Sequence, residues 1–154
     1  TRPLREKAAF TSSKIIEKIR EKEPKAKIVL MGDFNDSPTN SSLKKVLKTI
    51  GLKKKLTKQQ LYNPFENLFK KGYNTLGFRD NINLFDQIIV SSSLVKKTSK
   101  NFFLYQAKIF NTSFLITKKG RYKGYPFRSF SYGKYTGGYS DHFPVYISLI
   151  KEIE

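Results

Sequence analysis

An α/β (α+β) layered sandwich is the fold class that this 154-residue chain predicts. It opens on an amphipathic helical pattern and continues in short apolar runs of strand length. Three of those runs carry a carboxylate, amide or imidazole at one end, so a sheet rim with polar groups is expected. Its length suits one domain or part of one, and no linker or internal repeat divides it. Hydrophobic residues make up 38% of the chain and include 13 Phe and 9 Tyr, enough for bulky burial.

The first element is a helix over residues 3–22. Leu4, Ala8, Ile15, Ile16 and Ile19 recur at helical spacings with Lys and Glu between them. Pro24 ends it. Ala26 to Met31 is an unbroken apolar run, which suits a strand covered on both faces. Ser37-Pro38 and Asn40-Ser41-Ser42 then offer cap and first-turn chemistry for a helix near 39–49, closed by Gly51. Residues 52–76 are lysine-rich and without a clean period, and read as a long surface loop with one short helix around Leu61 to Phe69. Strands are expected near 75–79, 85–91, 102–110 and 143–150. Between the last two lies 117–140, a turn-rich, basic and aromatic segment.

Composition excludes several chemistries. The chain has no cysteine and a single histidine, so disulfides, thiolate metal sites and a structural zinc site are ruled out within it. Magnesium remains open, since it needs only roughly one or two protein carboxylates plus water. No apolar run approaches the roughly 18 residues of a membrane span. Residues 1–9 are charged and read as helix rather than as a secretory leader, and the compartment stays open. The formal charge of +18 favours polyanions, whether nucleic acid, phosphoinositide or an anionic bilayer. A solvated lysine-rich surface accounts for the same number.

Three segments concentrate the chemistry: KIVLMGDFNDSPTN at 27–40, FDQIIVS at 85–91 and GGYSDHFPVYISL at 137–149. In GDFN, alternation along the strand puts Asp33 and Asn35 on one side and Phe34 on the other. An aspartate there can orient or deprotonate water, and an amide can donate to a phosphoryl oxygen. The same residues suit an Asx turn leaving a strand, with Asp36 and Ser37 as helix caps. His142 could take a proton from water or return one to a leaving alkoxide if a carboxylate holds its tautomer. Asp86 is the candidate for that carboxylate, because a charge at the head of a buried strand calls for a fixed partner. A solvated strand end would explain it equally.

Taken together and in this order, GDFN at 32–35, the Asp-led strand at 86–90 and SDHFPV at 140–145 resemble the endonuclease/exonuclease/phosphatase superfamily. REKAAF at 5–10 is similar to the helix that precedes the family's GDFN strand. The resemblance covers essentially the whole chain and implies part of a four-layered α/β sandwich with mixed, mostly antiparallel sheets. It implies Asp33 as the group that positions or activates water, Asn35 as a phosphoryl donor and His142 as general base or hydrogen-bond donor. Asp86 would orient His142, and Asp141 would lie beside a Mg2+ (or Mn2+/Ca2+) ion. The implied activity is metal-dependent phosphodiester hydrolysis. Nucleic acid is the leading substrate expectation. A phosphoinositide phosphatase, a lipid phosphodiesterase or a non-catalytic module of the same fold are the alternatives.

The family's earlier motifs, including its metal-binding glutamate, are not in the chain. Residues 1–154 are therefore expected to be the C-terminal portion of one such domain, its N-terminal half absent or supplied by a partner chain. On that expectation the 154 residues by themselves have little or no activity. The segment 118–135 interleaves Lys118, Lys119, Arg121, Lys123, Arg128 and Lys134 with six aromatic residues and runs into SDH. Cations beside flat rings suit phosphate contact and base stacking, though core aromatics in a turn-rich loop would look alike. Arg128 is the candidate phosphate contact, its planar fork matching a tetrahedral oxyanion.

Overall fold

The computed structural model describes residues 1–78, 81–97 and 101–152. Helix α1 (Arg2–Lys22) packs on a three-stranded antiparallel sheet of order β1-β5-β2, with β1 at Val29–Asp33, β2 at Leu61–Tyr62 and β5 at Asp86–Ser91. A second antiparallel pair, β6 (Phe103–Ile109) and β9 (Val145–Ile150), covers the other face. Hairpin β3-β4 (Leu76–Phe78, Asn81–Asn83) leads into β5, and hairpin β7-β8 (Phe130–Ser131, Lys134–Tyr135) precedes β9. Every named strand pair is antiparallel, and Ile50 with Tyr62 adds one parallel bridge. The fold is α+β: a helix layer, two facing sheets and two further hairpins are present among the described residues.

Strand β5 is the axis of both cores. Its Ile88 and Val90 join Phe65, Leu84, Leu94 and Leu104 between the sheets. Its Ile89 turns the other way, to Ala9 and Ile16 of α1 and Leu43 and Leu47 beyond β1. This is the doubly covered strand that an unbroken β-branched run predicts. Strand β1 was expected to be one too and is not. Leu30 packs toward α1, but Val29 is 42% and Met31 71% exposed. β1 flanks β5 on one side, and the second sheet covers β5 without reaching Met31.

The helix forms where expected, but its contact face is rotated. Ala9 and Ile16 are buried, whereas Leu4, Ile15 and Ile19 are exposed. The small Ala9 side chain lets the helix approach the sheet closely, and the bulkier residues are left on the adjoining flank. The expected helix at 39–49 shrinks to one wide turn, Ser42–Val46, in which Leu47 N–H bonds Ser42 C=O. Lys48 takes a left-handed conformation (φ 55°) and ends it well before Gly51.

The span read as a surface loop contains β2 and helix α2 (Phe65–Lys70), and Leu61 to Glu66 are buried. Both faces of that short strand are covered, so it has no polar-apolar alternation to find. Glu66 is buried with Lys44 at 2.9 Å and Lys70 at 2.6 Å. Burial alone would push its carboxyl up, but these two lysines hold it below the ordinary carboxylate range. The expected strands near 75–79 and 102–110 are β3 and β6; position 79 lies outside the described residues.

Candidate active site

Asp33 and Asp86 are register partners across β1 and β5. Directly opposed residues of an antiparallel pair share a face. Following that face back, Met31 opposes Ile88 and Val29 opposes Val90, so both aspartates point to the side of the second sheet. From that sheet comes His142, in the segment just before β9. Its Nδ1 lies 2.7 Å from Asp86 Oδ2, with the two side chains 23% and 20% exposed. With the carboxylate accepting, Nδ1 carries the hydrogen, and Nε2 is left to meet a water or a leaving group.

Thr75 sets this distance. It is fully buried; its Oγ1 accepts the N–H groups of Phe85 (3.2 Å) and Asp86 (3.3 Å). Its carbonyl accepts Phe143 N–H at 2.8 Å, and Phe143 is itself buried. One residue thus ties down the neighbours of both halves of the Asp–His pair. Ser140 Oγ accepts the His142 N–H at 3.1 Å and closes the turn that carries the imidazole. Neither Thr75 nor Ser140 was singled out from sequence.

Beyond Asp33 the strand ends, so the expected alternation reaches Phe34, which packs on the helix side, but not Asn35. Asp33 Oδ1 accepts the Asn35 N–H at 2.8 Å, and Asn35 sits in the left-handed region (φ 49°) that Asn tolerates better than most residues. The Asx turn and the exposed Asp33 and Asn35 side chains coexist. The turn is anchored behind by buried Gln87, whose Nε2 donates to Asp36 C=O at 2.7 Å while its Oε1 accepts from Asn63 at 2.7 Å.

Asp36 does not cap a helix. Its carboxylate accepts from Asn40 (2.6 Å) and Ser42 (2.7 Å), and Arg5 Nε of α1 lies 2.9 Å away. The Arg5 Nε–H makes no well-directed hydrogen bond, so this contact is an ion pair. Burial would raise the Asp36 carboxyl, yet Arg5, Ser42 and Asn40 outweigh it and hold it below its ordinary value. The REKAAF helix and the GDFND turn are joined by this pair.

Asp141 adjoins His142 and is exposed. Among the described residues no three His, Asp, Glu or Cys side chains form a metal-holding group. One oxygen of Asp86 is committed to His142 and one of Asp33 to a backbone N–H. Asp33, Asp86 and Asp141 are the hard donors near these strand ends; magnesium is commonly held by one or two carboxylates with waters and substrate phosphate completing the shell.

Arg128 lies on the wall of a cavity of about 620 Å³ formed largely by 117–136, whose lining includes neither Asp86 nor His142. Its Nη2 reaches Gly77 C=O at 3.4 Å, a long contact. The cavity wall is fastened to the SDH turn. Tyr139 N–H donates to Phe127 C=O at 2.8 Å, the Thr136 hydroxyl donates to Arg128 C=O, and a Cβ on Gly138 would come within 2.2 Å of that same oxygen. Glycine at 138 is required by this backbone approach.

Fold and rim together define an α+β sandwich with an Asp–His pair and a facing aspartate at its strand ends. The family model described as Endonuclease/Exonuclease/phosphatase family matches residues 1–151, and the chain belongs to that family, a superfamily of phosphoesterase and nuclease type whose members are generally hydrolases. No curated protein and no solved structure matches the chain.

Proposed function

We propose that the full-length protein hydrolyses phosphodiester bonds with a divalent metal ion, nucleic acid being its substrate. The observation that carries this reading is the 2.7 Å His142–Asp86 contact, made between two sheets at the strand end where Asp33 is the register partner of Asp86. Asp86 holds the imidazole in the tautomer that leaves Nε2 open, so His142 can accept a proton from water or donate to a phosphoryl or leaving oxygen. Asp33 orients the attacking water, and the Asn35 amide, presented by its turn, donates to a phosphoryl oxygen. Asp141, with uncommitted oxygens of Asp33 or Asp86, would hold the ion, which supplies charge neutralisation at phosphorus.

The test is hydrolysis of plasmid DNA, an abasic duplex, inositol phosphates and sphingomyelin by the full-length protein, with magnesium and with chelator. His142→Ala and Asp33→Ala are each expected to lower turnover by about two to four orders of magnitude. Turnover that survives both substitutions would refute the assignment, and the preferred substrate decides between nucleic acid and lipid.

A further inference from the structure

We propose that the cavity whose wall is bonded to the SDH turn is a subsite for an unpaired nucleobase, so that the protein cleaves next to nucleotides free to leave a base stack. The inference rests on the phosphodiester reading above. A volume of about 620 Å³ falls within the range of small-ligand sites, roughly 300–1,000 Å³. The lining contains Tyr122, Tyr125, Phe127, Phe130, Tyr132 and Arg128, and no Leu, Ile, Val or Met among its residues. Flat rings, hydroxyls and a guanidinium match a flat heteroaromatic ligand with polar edges. An acyl chain would be better served by aliphatic walls.

The rings are held rather than loose. The Tyr125 ring lies against Gly77, where a Cβ would come within 2.3 Å of it, so this wall exists only because position 77 has no side chain. Tyr122 packs on Tyr125 at 5.7 Å, and its hydroxyl meets that of Tyr132 at 3.3 Å. Tyr132 and Gly133 both take positive φ (50° and 75°), the two-residue turn that twists hairpin β7-β8. That turn leaves Tyr132 90% exposed, a large ring held out with no intramolecular burial.

Position supplies the link to the chemistry. Gly77 of β3 lies two residues after Thr75, which fixes Asp86, and Phe127 is bonded to Tyr139, just ahead of His142. A nucleotide whose phosphate lies at His142 would reach this cavity across those backbone links. Lys118, Lys119, Lys123 and Lys134 adjoin its lining residues in the chain and would follow a phosphate backbone. A paired base in a duplex cannot enter without being extruded.

The experiment measures binding by the full-length protein without divalent cation. One probe is a single-stranded oligonucleotide carrying one 2-aminopurine; the other has an abasic tetrahydrofuran at that position. Base-bearing probe is expected to bind roughly tenfold more tightly, with 2-aminopurine fluorescence quenched by stacking. Tyr122→Ala and Tyr132→Ala should each erase most of that difference and leave abasic binding unchanged. His142→Ala should abolish hydrolysis but retain the base-dependent difference, which separates this inference from the catalytic one. Equal affinity for the two probes overturns the subsite. So does Tyr132→Ala reducing binding to phosphatidylserine vesicles while both probes bind alike, which would mark a bilayer surface.

Discussion

Thr75 performs no chemistry, yet three of its hydrogen bonds decide whether Asp86 and His142 meet. Its hydroxyl oxygen accepts from Phe85 and Asp86, and its carbonyl accepts from Phe143. Thr75→Val keeps the shape and removes the acceptor, leaving two N–H groups without their partner at a cost of about 1–3 kcal/mol. Geometry at the site should loosen with it. We expect kcat of the full-length protein to fall about 10- to 100-fold with KM little changed, and Thr75→Ser to restore it. A valine variant with normal kcat would show that the clamp is only structural. Asp33, Asp86 and His142 stood out in the sequence as candidates because each borders an apolar run with a group that strands avoid, and the structure brings Asp86 to His142 and opposite Asp33. Thr75 and Gln87 were not. A threonine beside Leu76 or a glutamine beside Ile88 is ordinary in or near a strand, and its importance depends on residues distant in the chain. The Asx turn at Asp33 was legible as an alternative to catalysis; the structure has the turn and still leaves both side chains exposed.

Helix α1 and the Asp33–Val46 segment behave as one element because Arg5 and Asp36 join them. Asp36 is held below its ordinary value of 3.8, and Glu66, between Lys44 and Lys70, is likewise lowered. A carboxyl with a folded value below its unfolded one stabilises the fold at every pH above the unfolded value. That stabilisation is lost as pH falls through the lowered folded value. Asp36→Asn should therefore unfold about 2 kcal/mol more easily than the parent at neutral pH. The difference should shrink once the pH drops beneath the ordinary carboxylate range. Thermal denaturation followed by circular dichroism across that range checks it, and a gap that widens in acid would reverse the assignment. At this scale the sequence conveys the existence of elements better than their faces. Helical spacing located α1, but the choice between its Ala9–Ile16 face and its bulkier Leu4–Ile15–Ile19 flank was made by close packing on the sheet. Apolar runs of strand length located β5 and β9. They could not locate β2, whose two residues are too few to make a run and are both buried.

At the scale of the whole molecule, two of the exposed apolar features among the described residues stand against a net charge of +18. One is the uncovered side of β1, with Val29 and Met31, on a strand whose pairing among the described residues is to β5 alone. The other is the α1 flank of Leu4, Ile15 and Ile19. An unpaired edge beside exposed apolar side chains invites association. Like charge on two approaching copies opposes it, and this opposition fades within a Debye length, about 30 Å at 0.01 M salt but about 8 Å at 0.15 M. The 154-residue chain should therefore stay monomeric at low ionic strength and associate as salt is raised, the opposite of a charge-driven complex. Light scattering across a sodium chloride series reads this directly. Met31→Lys places a cation on the open side of β1 and should shift the onset to higher salt without lowering the melting temperature, since Met31 contributes little burial. Association that dissolves with salt would trace the contact to charged groups instead of the β1 face.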